Sequence, residues 1–456
     1  MTQVSSSTLG DSMAVIVPTR IRVLYGSGLF GTQLFNGVQA AATAWFWLDV
    51  MQLNYGFYSL IMVVFYNIYN ALNDPIFGWI SDRTRSRWGR RIPYIRFLTP
   101  VWFFSTVFLF YPFLNLDQLT LGIWLLVFIL IFDGCYTFVA GCYNAIMPEL
   151  TTLTSERTKI NLTAQLFAMM GMAVSFIFPL LLEDDVMGFF LFVVIGGAIA
   201  MAVLVVPTFF YHERKQTWEK KPLGLVSAVV NSVKNRPFLA FIGWNFMVQF
   251  ASSLVLANII FYAANVLQAT DIQKYLLFGA LFLTLLPGFL VYKSIGRERG
   301  VRFAVILSTT IVSIGLLLLF FAGTYWMAFG SLAVVGFGLS GALIFGNVMI
   351  AEATDYDELR THQRREAMFF GTNALFTKPA IGFAQGVLAG TLAAMGYIQG
   401  ADPWLQPESA LLGIRMAMGL FPSIALLISL IFIYFYPNKQ ETERMKEQLG
   451  KLHISR

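Results

Sequence analysis

Apolar stretches long enough to cross a bilayer recur along the whole chain, and this constrains its fold more than any single motif. A spanning helix needs about 20 predominantly apolar residues. Such stretches fall near residues 25–49, 55–80, 94–114, 118–147, 161–182, 186–211, 238–267, 274–292, 301–322, 325–351, 366–396 and 408–436. Their spacing predicts an all-α polytopic membrane protein with twelve transmembrane helices. Composition agrees: 57% of the 456 residues are hydrophobic and only 12% are charged, against roughly 25% charged in a soluble domain.

The connections separate by charge. One set comprises residues 81–93, 148–160, 212–237, 293–302, 352–365 and both termini. The other comprises 50–54, 115–117, 183–185, 268–273, 323–324 and 397–407. All of the 31 Lys and Arg residues except Lys274, Lys378 and Arg415 fall in the first set or at its membrane edge. The positive-inside rule then places both termini and the basic connections in the cytoplasm of a plasma (bacterial inner) membrane. The net charge of +6 is thereby explained by topology, and no nucleic-acid partner is expected.

The polar segment 212–237 separates six spans from six. Leu225, Val226, Val229, Val230 and Val233 recur in it at helical spacing, the pattern of an amphipathic helix lying on the cytoplasmic face. The expected organisation is a cytoplasmic segment 1–24, a six-helix bundle 25–211, a central loop 212–237, a second bundle 238–436 and a cytoplasmic tail 437–456. A weak repeat supports two halves: GWISDRTRSRWGRR follows span two, and YKSIGRERGVR follows span eight. Two six-span halves point to a transporter with its site at the midplane between them.

Other classes fit poorly. Cys135 and Cys142 lie two helical turns apart in one apolar stretch, too far for a disulfide within that helix. His212, His362 and His453 all fall in polar segments, so neither a metal cluster nor an intramembrane catalytic centre is visible. No enzyme activity and no cofactor are expected. The N-terminal MTQVSSSTLGDSMAVIVPTR lacks the basic start and long apolar run of a cleavable signal.

Four stretches carry a family resemblance. NDPIFGWISDRTRSRWGRRIPYI is similar to the second-span and loop motif of the glycoside–pentoside–hexuronide:cation symporters, the melibiose-permease branch of the major facilitator superfamily. YGSGLFGTQLFNG (25–37) looks like that family's first span and YTFVAGCYNAIMPEL (136–150) like its fourth. AEATDYDELRTHQRREAMFFGTNALFTKPA (351–380) resembles its tenth-to-eleventh segment. The resemblance covers essentially the whole chain in order. It implies secondary transport of a small organic solute by alternating access of two six-helix bundles, in a monomer embedded in membrane lipids.

Span two offers an ion site on physical grounds. Asn67, Asn70 and Asp74 share one helical face, and Asn73 flanks Asn70. A carboxylate inside a membrane is costly and marks an ion or proton path, and amide oxygens around it suit a hard cation. The alternative is a protonated Asp74 hydrogen-bonded to neighbouring helices. The resemblance implies that Asn70, Asn73, Asp74 and Thr137 hold the coupling ion, Na+ or H+. Asn70 stands where well-known sodium users have a second aspartate; its absence lowers the attraction for Na+ and shifts the expectation toward proton coupling or uncoupled facilitation. Lys378 takes the position of the family's membrane lysine, able to pair with Asp74 when no cation is bound. Asp133, one turn before Thr137, is a second intramembrane acid.

The sugar-gripping acids and arginine of the melibiose-type relatives correspond here to Gln33, Ala140 and Gln165, so that clamp is absent; a less hydroxylated or neutral amide-recognised solute is expected, with an amphiphilic, lysolipid-like substrate as the alternative. Candidate substrate contacts are Gln33, Asn36, Asn144, Gln165, Asn373 and Lys378, with Asn245, Gln249 and Asn347 as further intramembrane amides. Each amide has an alternative reading as an interhelical hydrogen bond. A cytoplasmic gate is expected from Asp82, Arg83, Arg87 and Arg91 against Asp355, Asp357, Glu358, Arg364, Arg365 and Glu366. Solvated surface charge is its alternative reading.

Overall fold

The computed structural model describes residues 17–454 apart from 71, 74–76, 78–79, 81–83, 85, 87, 90, 113–115, 145, 147–149, 151–153, 183, 211–233 and 362–365. Among the described residues all regular structure is helical. Helices α1 (Thr19–Trp45), α2 (Tyr55–Ser59, continued by π-helical Leu60–Tyr66 and helical 67–70), α3 (Ile92–Leu109), α4 (Gln118–Asn144), α5 (Thr154–Leu181) and α6 (Val186–Val205) form the first half of the chain. The second half comprises α7 (Arg236–Phe261), α8 (Asp271–Arg299), α9 (Val301–Phe321), α10 (Tyr325–Thr361), α11 (Glu366–Thr377), α12 (Pro379–Ala394), α13 (Glu408–Arg415), α14 (Phe421–Tyr434) and α15 (Lys439–Ile454).

Nine segments among the described residues are long and apolar enough to cross a membrane. The three other expected spans also coincide with helices, and each has a reason to fall short. α1 carries Gln33, Asn36 and Gln39 between its apolar residues. α2 runs into undescribed positions. The 366–396 stretch is divided between α11 and α12 by Pro379. Two expected loops are helical instead: α8 continues to Arg299 and α10 to Thr361. A helix need not stop at the edge of hydrocarbon, because adding a residue to an existing helix costs far less than nucleating one. α8 stops where Gly300 turns the chain with φ 89°. The amphipathic helix expected within 212–237 lies mostly outside the described residues.

Close packing in the first half depends on small residues, as it does wherever helices meet without a hydrophobic drive. A Cβ on Gly28 would sit 2.0 Å from the Tyr143 hydroxyl. That hydroxyl donates to the Tyr25 carbonyl at 2.8 Å, and the two tyrosine rings stack with centroids 5.2 Å apart. In the second half polar side chains do similar work. Ser313 and Ser423 each donate to the other's carbonyl at 2.9 Å, joining α9 to α14, and the Trp244 indole donates to Thr309 Oγ1 at 3.0 Å. Cys135 and Cys142 are buried and are not joined in a disulfide.

One turn occurs twice. α1 and α7 both end in a π turn (Phe46–Val50 and Tyr262–Val266), followed two residues later by a glutamine with positive φ, Gln52 at 49° and Gln268 at 45°. These are the only such non-glycine residues among those described. After Gln52, the Asn54 N–H donates to Gln118 Oε1 at 2.7 Å and the Gln118 amide donates back to the Gln52 carbonyl at 3.0 Å. After Gln268, the Thr270 N–H donates to Gln273 Oε1 at 2.9 Å, within a capping box on α8 itself. At the start of α4, Asp117 accepts the Thr120 hydroxyl and its N–H, and these bonds hold its carboxyl below the ordinary range.

The halves meet along α1 on α7, α2 on α12 and α5 on α8. At the end holding the 50–54 and 397–407 connections, several hydrogen bonds cross between them. Asp49 Oδ1 accepts the Gly400 N–H at 2.7 Å. The Gln399 amide donates to the carbonyls of Leu48 (2.6 Å) and Leu53 (3.0 Å). The Tyr55 hydroxyl donates to the Tyr397 carbonyl at 3.1 Å. Deeper in, buried Tyr58 donates to buried Gln385 at 2.6 Å. A Cβ on Gly382 of α12 would lie 2.2 Å from Asn67 Oδ1 and 2.3 Å from the Met62 carbonyl, so α2 and α12 touch backbone to backbone.

Candidate functional site

The join between α11 and α12 sets the site. Proline lacks an N–H and cannot continue the hydrogen-bond ladder of α11. Lys378 stands immediately before it, its N–H bonded to the Ala374 carbonyl and its own carbonyl accepting from Ile381, each at 3.0 Å. The chain therefore bends at Lys378 without unwinding.

From this bend the ammonium crosses to the other half. It donates to Thr137 Oγ1 on α4 at 3.0 Å and to Asn73 Oδ1 on α2 at 3.2 Å. The Asn73 amide then donates through Nδ2 to Asp133 Oδ2, while the Tyr66 hydroxyl donates to Asp133 Oδ1 at 3.2 Å. Asn73, Asp133 and Tyr66 are each at most 3% exposed. An ammonium and a carboxylate are thus linked through one amide, and each has hydrogen-bond partners away from water, the condition for a buried charge to be tolerated. Both carboxyl oxygens of Asp133 act as acceptors.

The structure therefore brings together Asn73, Thr137, Lys378 and Asp133 of the residues expected from sequence. Asn70 is buried on the same stripe of α2, and its Oδ1 accepts no hydrogen bond among the described residues. Asn67 diverges from it: its amide donates to the Val63 carbonyl at 3.0 Å and its oxygen lies against Gly382, so it serves the α2–α12 contact. Asp74 lies outside the described residues. Tyr66 was not singled out by sequence, although it precedes Asn70 by four and Asn73 by seven residues, the spacing of one helical face.

The expected substrate contacts are more dispersed. Asn373 on α11 accepts from the Asn245 amide on α7 at 2.9 Å, an interhelical bond within the second half. Gln33 and Asn36 on α1 are half-buried, and Asn144 on α4 and Gln165 on α5 are exposed. A cavity of 440 Å³ beside α2 is lined by Phe65, Ile68, Tyr69, Leu72, Asn73 and Phe77. It includes none of the expected substrate contacts.

Of the expected gate, Arg91 precedes α3 and Asp355 is half-buried on α10, where Asp357 and Glu358 are fully buried. Asp82, Arg83, Arg87, Arg364 and Arg365 lie outside the described residues, as do the side chains of Glu366 and Asn347.

Comparison with known proteins identifies the family. Residues 24–439 match the family described as MFS/sugar transport protein. An uncharacterized symporter of Synechocystis sp. is 24% identical, over 91% of this chain and 93% of that protein. The isoprimeverose transporter of Lactiplantibacillus pentosus is 24% identical, over 96% of this chain and 92% of its own. Among solved structures, a bacterial homologue of the human lysosomal transporter Spinster, inward-facing and occupied, superposes with a TM-score of 0.68. It has 14% identity, over 92% of this chain and 97% of that one. The chain belongs to the MFS/sugar transport family, among the glycoside–pentoside–hexuronide:cation symporters of the major facilitator superfamily, and is a secondary active transporter.

Proposed function

We propose that the chain moves a small, neutral organic solute together with a monovalent cation, Na+ or H+, by rocking the bundles 25–211 and 238–436 about the contact at Lys378. The observation that carries this reading is the ammonium of one half bonded to Thr137 and Asn73 of the other. A cation that competes with Lys378 for those oxygens changes the contact between halves, which ties ion binding to conformation. Asp74, Asn70, Asn73 and Thr137 form the cation site, with Lys378 and Asp133 as its coupling charges.

The solute is met by Gln33, Asn36, Asn144, Gln165 and Asn373, with Lys378 at the edge of its site. Amides hydrogen-bond neutral groups in either sense, and this favours a neutral solute over an acid. The names of relatives, an isoprimeverose transporter and a putative glycoside/cation symporter, support a glycoside-like solute. With both termini cytoplasmic, the cross-half bonds at Asp49, Gln399 and Tyr58 form a closed outer gate. The inner gate is assigned to Asp82, Arg83, Arg87, Arg91, Asp355, Arg365 and Glu366 on their charge pattern in the sequence.

Reconstitution into proteoliposomes tests this. Uptake of a panel of radiolabelled glycosides is followed while Na+ and pH gradients are imposed separately. Accumulation above equilibrium under one gradient is expected; equilibration at the same rate under both and under neither would exclude coupling.

A further inference from the structure

The turns that close α1 and α7 repeat bond for bond. The Met51 N–H donates to the Phe46 carbonyl and the Leu53 N–H to the Trp47 carbonyl. In the second half Leu267 donates to Tyr262 and Ala269 to Ala263 in the same way. This fixes the register of α1 against α7. Gln33 and Gln249 each precede the positive-φ glutamine of their half, Gln52 and Gln268, by nineteen residues, so they are equivalent positions. Halves related by an axis along the membrane normal set such positions at one depth, on opposite sides of that axis. α1 and α7 also pack against each other.

Both glutamines lie on strips that stay open while the rest of the helix is covered. From Gly31 to Gln39 every residue of α1 is buried except Gln33 and Asn36. Between Ala240 and Phe261, Gln249 is the one exposed residue of α7, and half-buried Asn245 and Ser252 share its face. Neither helix exposes a large hydrophobic side chain after its first five residues, whereas α8 exposes Leu276, Leu283, Leu286 and Leu290. Neither amide has a hydrogen-bond partner among the described residues. An unpaired amide is costly in hydrocarbon, and an open strip that is polar lines an aqueous interior instead.

We propose that Gln249 is a specificity-determining solute contact of the second half, set opposite Gln33 across the interior between α1 and α7. This rests on the solute reading above. Each amide presents a donor and an acceptor side by side, and so pairs with two neighbouring hydroxyls. Two amides on opposite walls read two such edges. The solute class is therefore a neutral polyol with hydroxyl pairs at both ends, not an amphiphile with one polar end. Because one glutamine belongs to each half, a solute that bridges them favours one separation of the halves, and its binding acts on the rocking itself.

Thiol chemistry tests the placement without knowledge of the solute. In membrane vesicles a charged methanethiosulfonate should modify Gln249→Cys at least about tenfold faster than Leu283→Cys, because a thiol facing lipid does not ionise. Leu283 is 71% exposed on α8, and wild type, whose two cysteines are buried, supplies the background. A bifunctional methanethiosulfonate should join Gln33→Cys to Gln249→Cys. The link is read as halves that stay together after cleavage at a protease site placed in the 212–237 connection, and neither single variant should be joined. Gln249→Ala should raise the KM for each carried glycoside of the radiolabelled panel by about tenfold, with the dependence on Na+ and pH gradients unchanged. Gln249→Asn, which keeps an amide, should recover part of it. Modification no faster than at Leu283→Cys overturns the proposal, as does failure of the pair to join at every reagent length. An unchanged KM in Gln249→Ala overturns it and leaves the transport reading standing. If Gln249→Ala does not fold, as judged by thermal unfolding, Gln249→Leu takes its place in the same measurement. Halves that join in a protein carrying a singly polar amphiphile and no glycoside refute the solute class together with the reading it rests on.

Discussion

The Lys378 ammonium lies 3.0 Å from the Thr137 hydroxyl, so the bend between α11 and α12 is fastened to the α4 helix of the opposite half. Lys378→Met removes this bond and the one to Asn73, and leaves Asp133 without the positive charge it reaches through Asn73. Bonds to a charged donor contribute about 1.5–3 kcal/mol each, the desolvation cost of the ammonium offsets much of the pair, and a net loss of about 2 kcal/mol in ion-free stability is expected. Thermal unfolding without Na+ measures it. Proteoliposome uptake should show gradient-driven accumulation abolished while solute exchange persists.

The bonds at the Asp49 end hold the halves together. Tyr58→Phe removes the donor to Gln385 and should weaken the closed arrangement by about 1 kcal/mol, roughly a fivefold shift in population. Spin labels at the exposed positions Phe57 and Ile398, read by pulsed electron resonance, should show a larger fraction of long distances. An unchanged distribution would separate this bond from gating.

Gly382→Val should disable the transporter. Its Cβ would meet the Met62 carbonyl, and backbone cannot yield as a flexible side chain does. Overpacking of this kind costs about 1–3 kcal/mol. Gly390→Val, where nothing lies within 4 Å, is the matched control and should leave uptake and melting temperature nearly unchanged.

Gly28 and Tyr143 should be energetically coupled. Gly28→Ala drives a methyl into the Tyr143 ring and should cost about 1–3 kcal/mol. In a Tyr143→Leu background the same change should cost less, a non-additivity that a double-mutant cycle of thermal stabilities reads directly.

Helix positions were legible in the sequence because apolar length and basic flanks are strong, local signals. Helix ends were not, since α8 and α10 continue past the apolar stretch on backbone hydrogen bonds that hydropathy does not register. The sequence pairs Lys378 with Asp74, which lies outside the described residues; its bonds to Thr137 and Asn73 were not foreseen. Asp133 was visible as an acid, but its partnership with Asn73 and Tyr66 depends on how α2 and α4 are rotated, which no one-dimensional pattern encodes. Tyr66 passed as one aromatic among many. The outer contacts at Asp49, Gln399 and Gly400 involve mostly backbone groups, and backbone acceptors leave no trace in side-chain chemistry.

The twice-occurring glutamine turn has a mechanical consequence. The turn after α7 is capped by Gln273 of the helix that follows it, so it and α8 can shift as one piece. The turn after α1 is instead clamped by Gln118, the first residue of α4. A displacement of the first turn therefore pulls on the rod that carries Asp133 and Thr137 further along, whereas the residue capping the second turn is fastened to a different helix, its carbonyl accepting the Tyr325 hydroxyl of α10 at 2.9 Å. Two turns of the same shape are thus geared to different helices, and the one in the first half is geared to the helix that bears the central charges.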